Sequence, residues 1–249
     1  RRFDIYKSPD GRRLLKTAKR GEPRDLLALE NEFAVLSELH RRCAGLSPGP
    51  FALHTDGRSM EVEFVEGRDL YAWIGVQGGA LASRLVAVRQ LCEAYQRLHS
   101  AGVLHGDVNE SNAILGPMGA KLVDFEFGLI EGRSTRPIGG SYFFMHPEVA
   151  KCVRDRQGQF QYSLAHELYG LGALAFHVLT GSFVVDPTLH PTKDDYLHAL
   201  VRAEFDIEGR FPPEMPQDIV RVLKTSIAEH RPVEAGVIAR CIGSQMESA

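Results

Sequence analysis

Asp107 and Asn112 stand five residues apart in the run His105-Gly106-Asp107-Val108-Asn109-Glu110-Ser111-Asn112, and Asp124-Phe125-Glu126 begins twelve residues after Asn112. Residues of these types suit phosphoryl transfer. One carboxylate can orient a hydroxyl nucleophile, while an amide oxygen and a second carboxylate can hold Mg2+ on polyphosphate oxygens. The alternative is a surface turn rich in Asn and Asp. The long amphipathic pattern before the run and the hydrophobic hairpin after it weigh against that.

The elements that must position these groups fall into two kinds. Phe3–Tyr6 and Arg13–Lys16 flank a Pro9-Asp10-Gly11 turn and read as a hairpin. Leu26, Leu29, Phe33, Leu36 and Leu39 recur at helical spacing within residues 24–42. Two short strands are expected near Phe51–His54 and Met60–Val65, joined by an Asp56-Gly57 turn. From residue 81 onward the pattern is mainly helical: 81–100, ending at Ala101-Gly102, an almost wholly apolar helix over 163–180, and helices near 192–203 and 216–228. A hairpin over 113–124 carries the acidic loop. The boundary between the strand-rich and helical parts is placed at residues 66–70.

Composition narrows the class. The 249 residues are 44% hydrophobic and 24% charged with a formal net charge of -3, so no basic excess argues for nucleic acid. No apolar run reaches the roughly 18 residues of a membrane span. Cys43, Cys92, Cys152 and Cys241 are widely spaced and form no C-x-x-C pair. That favours a reduced, cytoplasmic setting and no zinc site. The chain starts at Arg1 rather than Met, and a piece of a longer parent is expected, with other domains in that parent left open. Gly170-Leu171-Gly172-Ala173-Leu174-Ala175 matches the G-x-G-x-x-A dinucleotide fingerprint, but it lies inside a continuous apolar helical run, where close helix packing is the better reading. His166-Glu167 lacks the second histidine of H-E-x-x-H, and no G-x-S-x-G occurs.

The pattern H-x-D-x-x-x-x-N followed by D-F-x resembles the catalytic and metal-binding loops of the eukaryotic-type (Hanks-type) protein kinase-like superfamily, in a divergent His-Gly-Asp form. The resemblance spans residues 3 to 242. It implies an α+β, bilobal fold: an N-lobe with a small antiparallel sheet over 1–66, without an evident first strand and Gly-rich loop, and a mainly helical C-lobe over 67–249. It also implies ATP and Mg2+ as cofactors and a protein substrate.

Residue by residue, the resemblance makes Lys16 the strand lysine of the α/β-phosphates and Glu32 its helix partner, with Lys19 and Glu30 as competitors. Backbone groups of Glu63 and Val65 would meet the adenine edge, Val62 would back the pocket, and Asp69 would accept from the ribose. Asp107 would be the base, and Asn112 and Asp124 the metal ligands. His105 and Phe125 would be structural. Ser141 stands in the substrate loop, and Glu148 is expected to pair with Arg231. Glu167 replaces the Asp that holds the catalytic-loop backbone. Leu36 would pack near Phe125 and His105.

Departures qualify the resemblance. Gly106 replaces the usual Arg, which implies a kinase not switched on by phosphate at Ser134 or Thr135. Asn109 stands where Ser/Thr kinases carry a catalytic Lys, and Glu126 replaces the Gly of Asp-Phe-Gly. The reading is therefore a Ser/Thr-type protein kinase. The alternatives are a pseudokinase acting as a scaffold and a small-molecule kinase of the aminoglycoside-phosphotransferase type.

Overall fold

A computed structural model describes residues 2–54, 57–77, 79–132, 140–157, 160–205 and 207–247. Asp56, Ser134 and Thr135 lie outside the described residues.

The first strands are β1 (Phe3–Lys7), β2 (Arg13–Ala18), β3 (Pro50–Leu53) and β4 (Ser59–Glu63), in an antiparallel sheet of order β1-β2-β4-β3. Side chains alternate between faces along a strand. On β2 that alternation buries Lys16 and Ala18 together. Ala18 lies opposite Phe3, and Lys16 opposite Ile5 on one side and Met60 on the other.

Helix α1 (Pro23–Arg42) starts with Pro in its first turn, which costs no hydrogen bond there. Asp25 at its start and His40, Arg41 and Arg42 at its end complement the helix dipole. Its buried stripe includes Leu29, Glu32, Val35, Leu36 and Leu39. The helical period thus places one carboxylate among the apolar residues that face the sheet.

β5 (Arg68–Asp69) leads into α2 (Leu70–Gln77) and α3 (Leu81–Ser100). β7 (Ala113–Gly116) and β8 (Gly119–Leu122) form a hairpin beside β5, while β6 (Val103–Leu104) pairs with β9 (Leu129–Ile130). The two hairpin arms carry the loops that hold Asp107 and Asp124. α4 (Pro147–Arg154) packs on α6 (Lys193–Val201) around Met145, Val149, Tyr196 and Leu200.

Helix α5 (Leu164–Thr180) is buried along most of its length. A Ser163/His166 capping box opens it and Gly181, with φ 74°, closes it. α7 (Gln217–Ile227) and α8 (Ala235–Glu247) complete the helical part, with α8 lying along α3 and α7 against α5. The glycines of the apparent fingerprint are packing positions within α5. A Cβ on Gly172 would stand 2.4 Å from Ser226 Oγ, and one on Gly170 would stand 3.0 Å from the Phe144 carbonyl.

The fold is the bilobal α+β arrangement. α2 and α4 have eight residues each and too few turns to show a period. β5, β6 and β9 have two residues each and exist only through pairing with distant chain.

Candidate active site

Lys16 is 7% exposed, and its ammonium is shared between two carboxylates. Nζ lies 2.6 Å from Glu32 Oε2 and 2.7 Å from Asp124 Oδ1, with the Phe3 ring 4.6 Å away on a third side. The competing pair is elsewhere: Lys19 bonds Asp4 at 3.1 Å, and Glu30 is exposed. Burial alone would lower the Lys16 pKa, but Glu32 and Asp124 more than offset it and hold the ammonium charged. Burial pushes Glu32 up to about 7, with Asp124 and Glu126 adding to the rise and Lys16 opposing it.

The Asp107 loop is held from below by a buried carboxylate on α5. Glu167 Oε1 accepts from the His105 backbone N–H at 3.0 Å and bonds His99 Nε2 at 2.9 Å. Its Oε2 accepts from Gly106 N–H at 2.9 Å. His105 is fully buried; its Nε2 donates to the Val123 carbonyl at 3.0 Å and its ring lies 4.5 Å from Phe125. Asn112 Nδ2 donates to the Asp107 carbonyl at 3.0 Å and to Asp107 Oδ2 at 3.2 Å. Val123 N–H donates to the Asn112 carbonyl at 3.0 Å. Lys16 thus joins Glu32 to Asp124, Asn112 is bonded to Asp107, and the two groups meet where Val123, the residue before Asp124, donates its N–H to the Asn112 carbonyl.

The turn after Asp124 is tightly held. Asp124 has φ 65°, in the left-handed region, which costs a non-glycine residue about 1 kcal/mol or more and persists only where neighbours enforce it. Gly106 is one of those neighbours. Its own φ is 76°, and a Cβ there would stand 2.2 Å from the Phe127 carbonyl oxygen. Glycine at this position lets two backbone segments touch, which a side chain there would obstruct. Glu126, raised by burial and by Asp124, is paired to Arg2 at 2.6 Å.

Other expected residues are placed as follows. Val62 is buried opposite Leu14. Glu63 spends its N–H on the Gly49 carbonyl and its carboxylate on Lys121 and Gly49 N–H. Val65 is buried beyond the end of β4. Asp69 Oδ1 accepts from Ala72 N–H at 2.7 Å and so caps α2. Ser141 places its N–H, not its hydroxyl, on Asp107 Oδ1 at 2.8 Å. Leu36 and Phe125 share the main core.

Two expectations need correction. Asn109 does not reach into the cleft: its Oδ1 accepts from Ser111 N–H at 2.9 Å and its Nδ2 lies 3.3 Å from the Asp107 carbonyl, so it caps the short 3-10 turn Glu110–Asn112. Glu148 and Arg231 do not pair. Glu148, with a side chain 68% exposed, accepts from His166 Nε2 at 3.0 Å, while Arg231, 76% exposed, lies 3.6 Å from Glu229. The exposed His230 ring lies against Tyr169, Phe205 and His146. His166 was available at the first turn of α5, and sequence spacing had not singled it out.

A family model described as the protein kinase domain matches residues 35–232. The chain belongs to the protein kinase family. Among similar proteins, it is 27% identical over 164 residues to the serine/threonine-protein kinase RAD53 of Saccharomyces cerevisiae, covering 60% of this chain and 20% of that one. It is 24% identical over 173 residues to a probable cAMP-dependent protein kinase catalytic subunit of Encephalitozoon cuniculi, covering 68% and 50%. It is 30% identical over 132 residues to the serine/threonine-protein kinase AfsK of Streptomyces coelicolor, covering 50% and 15%. The chain thus spans half or less of the length of these relatives. Lys16 and Glu32 precede the family match, and their placement rests on the geometry.

Two measurements check this kinase site. A carboxyl with a higher pKa folded than unfolded takes up a proton on folding, so the Glu32 contribution to stability falls as pH rises from about 4.5 to about 7. Across that window, urea unfolding of wild type should lose on the order of 2 kcal/mol relative to Glu32→Gln. A pH-independent difference would contradict the raised value. Gly106→Arg should lower stability by roughly 2 kcal/mol or more, because it combines a left-handed φ with a backbone clash. Wild-type stability in that variant would show that the Phe127 segment gives way freely.

Proposed function

We propose that this domain is a Ser/Thr-type protein kinase that transfers the γ-phosphate of ATP, with Mg2+, to a hydroxyl oriented by Asp107. The contacts of Lys16 with Glu32 and Asp124, and of Asn112 with Asp107, carry this reading, because the Val123 N–H to Asn112 carbonyl bond sets the candidate phosphate-binding cation, metal-ligating oxygens and base beside one another.

The residues present fit a hard cation. Lys16 occupies Asp124 Oδ1 and leaves the second oxygen of a carboxylate whose side chain is 44% exposed. Asn112 spends its Nδ2 on Asp107 and leaves its amide oxygen. Both are oxygen donors of the kind Mg2+ takes. When bound, the ion would neutralise charge on the phosphate oxygens.

Lys16, kept charged by its carboxylates, supplies the fixed cation on the phosphate side. Asp107, oriented by Asn112 and by Ser141 N–H, accepts the proton of the incoming hydroxyl. The hydroxyl oxygen forms the new bond to phosphorus as the bond to the ADP oxygen breaks. Backbone groups of Val65 and the carbonyl of Glu63 are the candidates for the adenine edge, with Val62 behind it and Asp69 toward the ribose. In this reading residues 1–66 form the N-lobe and 67–249 the C-lobe.

The names of the relatives support a protein hydroxyl as acceptor. Among the described residues no helix is long and apolar enough to cross a membrane, and the four cysteines are free; a reducing, cytoplasmic setting is part of the proposal. One observation favours a second reading, a pseudokinase scaffold. Gly140 and Ser141 lie directly on the base, so that a Cβ on Gly140 would stand 2.8 Å from Asp107 Oδ1.

Transfer of labelled γ-phosphate by the full chain, offered proteins and small hydroxyl compounds together, decides between the readings. Label should enter protein and fall about a hundredfold or more in Asp107→Ala. Label in a small compound would make this a small-molecule kinase. Nucleotide binding with no transfer above the Asp107→Ala background would make it the scaffold.

A further inference from the structure

Asn31 lies on α1 immediately before Glu32 and is 9% exposed. Its Nδ2 is aimed at three backbone carbonyls of a single turn: Gly128 at 2.9 Å, Glu126 at 3.1 Å and Phe125 at 3.4 Å. Carbonyl oxygens only accept, so the amide is fixed with its nitrogen toward the turn. All three carbonyls follow Asp124, the residue held at φ 65°. The turn closes on itself through Gly128 N–H to the Phe125 carbonyl at 2.9 Å.

Two consecutive residues of α1 therefore hold the same aspartate by different means. Glu32 acts on its carboxylate through Lys16. Asn31 acts on the backbone that aims the carboxylate. A left-handed backbone needs neighbours that enforce it, and one amide nitrogen spread over three carbonyls is such a constraint. Groups that orient a metal ligand commonly set metal affinity without touching the ion.

We propose that Asn31 is a positioning residue that holds the Asp124 turn in its metal-binding form, so that the seating of α1 sets the affinity of the site for its metal. This rests on the reading of Asp124 as a metal ligand. Arg2, just before β1, pairs with the Glu126 side chain of the same turn rather than with its carbonyls.

The test uses the full chain with Asn31→Ala and Asn31→Asp, the second nearly isosteric but without N–H groups. Mn2+ binding is measured in the presence of a non-hydrolysable ATP analogue, adenosine binding is measured separately, and amide hydrogen exchange is followed at residues 125–128. Both variants should bind Mn2+ about tenfold more weakly or worse. Adenosine affinity should stay within about twofold, and exchange should accelerate at Gly128 and its neighbours while α5 is unchanged. Wild-type Mn2+ affinity in either variant overturns the proposal. So does an Asp variant that matches wild type, because packing rather than donation would then hold the turn. A general structural role would instead weaken both ligands together and raise exchange throughout α1. If the wild-type protein binds neither nucleotide nor Mn2+, the phosphotransfer reading fails on its own account. Exchange at 125–128 still decides the clamp, and unchanged exchange in Asn31→Ala sinks it.

Discussion

Lys16 carries its ammonium to a place where water scarcely reaches it, and a charge in that position has to be paired. Glu32 and Asp124 pair it from opposite sides. Removing Lys16 would leave two neighbouring carboxylates without their cation, one of them buried, and an uncompensated buried charge costs roughly 3–5 kcal/mol. Three separate pieces of chain are thereby held in register: strand β2, helix α1 and the turn after β8. β2, α1 and the Asp124 turn thus share one geometry.

The second half of the site follows a similar principle with the sign reversed. Glu167 is a carboxylate at 0% exposure, and it survives burial because His105 N–H, Gly106 N–H and His99 converge on it. Helix α5 is buried along most of its length, and Glu167 anchors the Asp107 loop to it. The close approach of Gly106 to Phe127 then locks this loop to the Asp124 turn. The lobes meet through backbone contact and charge pairing as well as through apolar packing.

Much of this was legible in the sequence wherever chemistry or period constrains residue type. Asp107, Asn112 and Asp124 stand out because their residue types and spacing match the kinase pattern. Helices α1 and α3 are recognisable because they run long enough to show a period, and α5 because it is a long apolar run. What escaped notice depends on backbone partners or on a choice between near neighbours. Asn31 reads as one polar residue in an amphipathic helix, since its partners are carbonyls that no side-chain pattern reveals. Glu148 was expected to pair with Arg231 by position, but His166 stands closer. Asn109 stands at the position of a catalytic Lys, and its short side chain closes onto the turn that contains it. Gly106 looked like a lost Arg and proved to be a position where only glycine lets two loops meet.

The central claim is that the Lys16 cluster forms a nucleotide-phosphate site. Calorimetric titration of the full chain with Mg-ATP, beside Lys16→Ala, tests it most directly, with adenosine as the ligand that carries no phosphate. The account predicts saturable Mg-ATP binding to wild type, weakened by about tenfold or more in Lys16→Ala, with adenosine affinity little changed. Equal Mg-ATP affinity in the two proteins would contradict it, because the buried ammonium would then serve the fold alone.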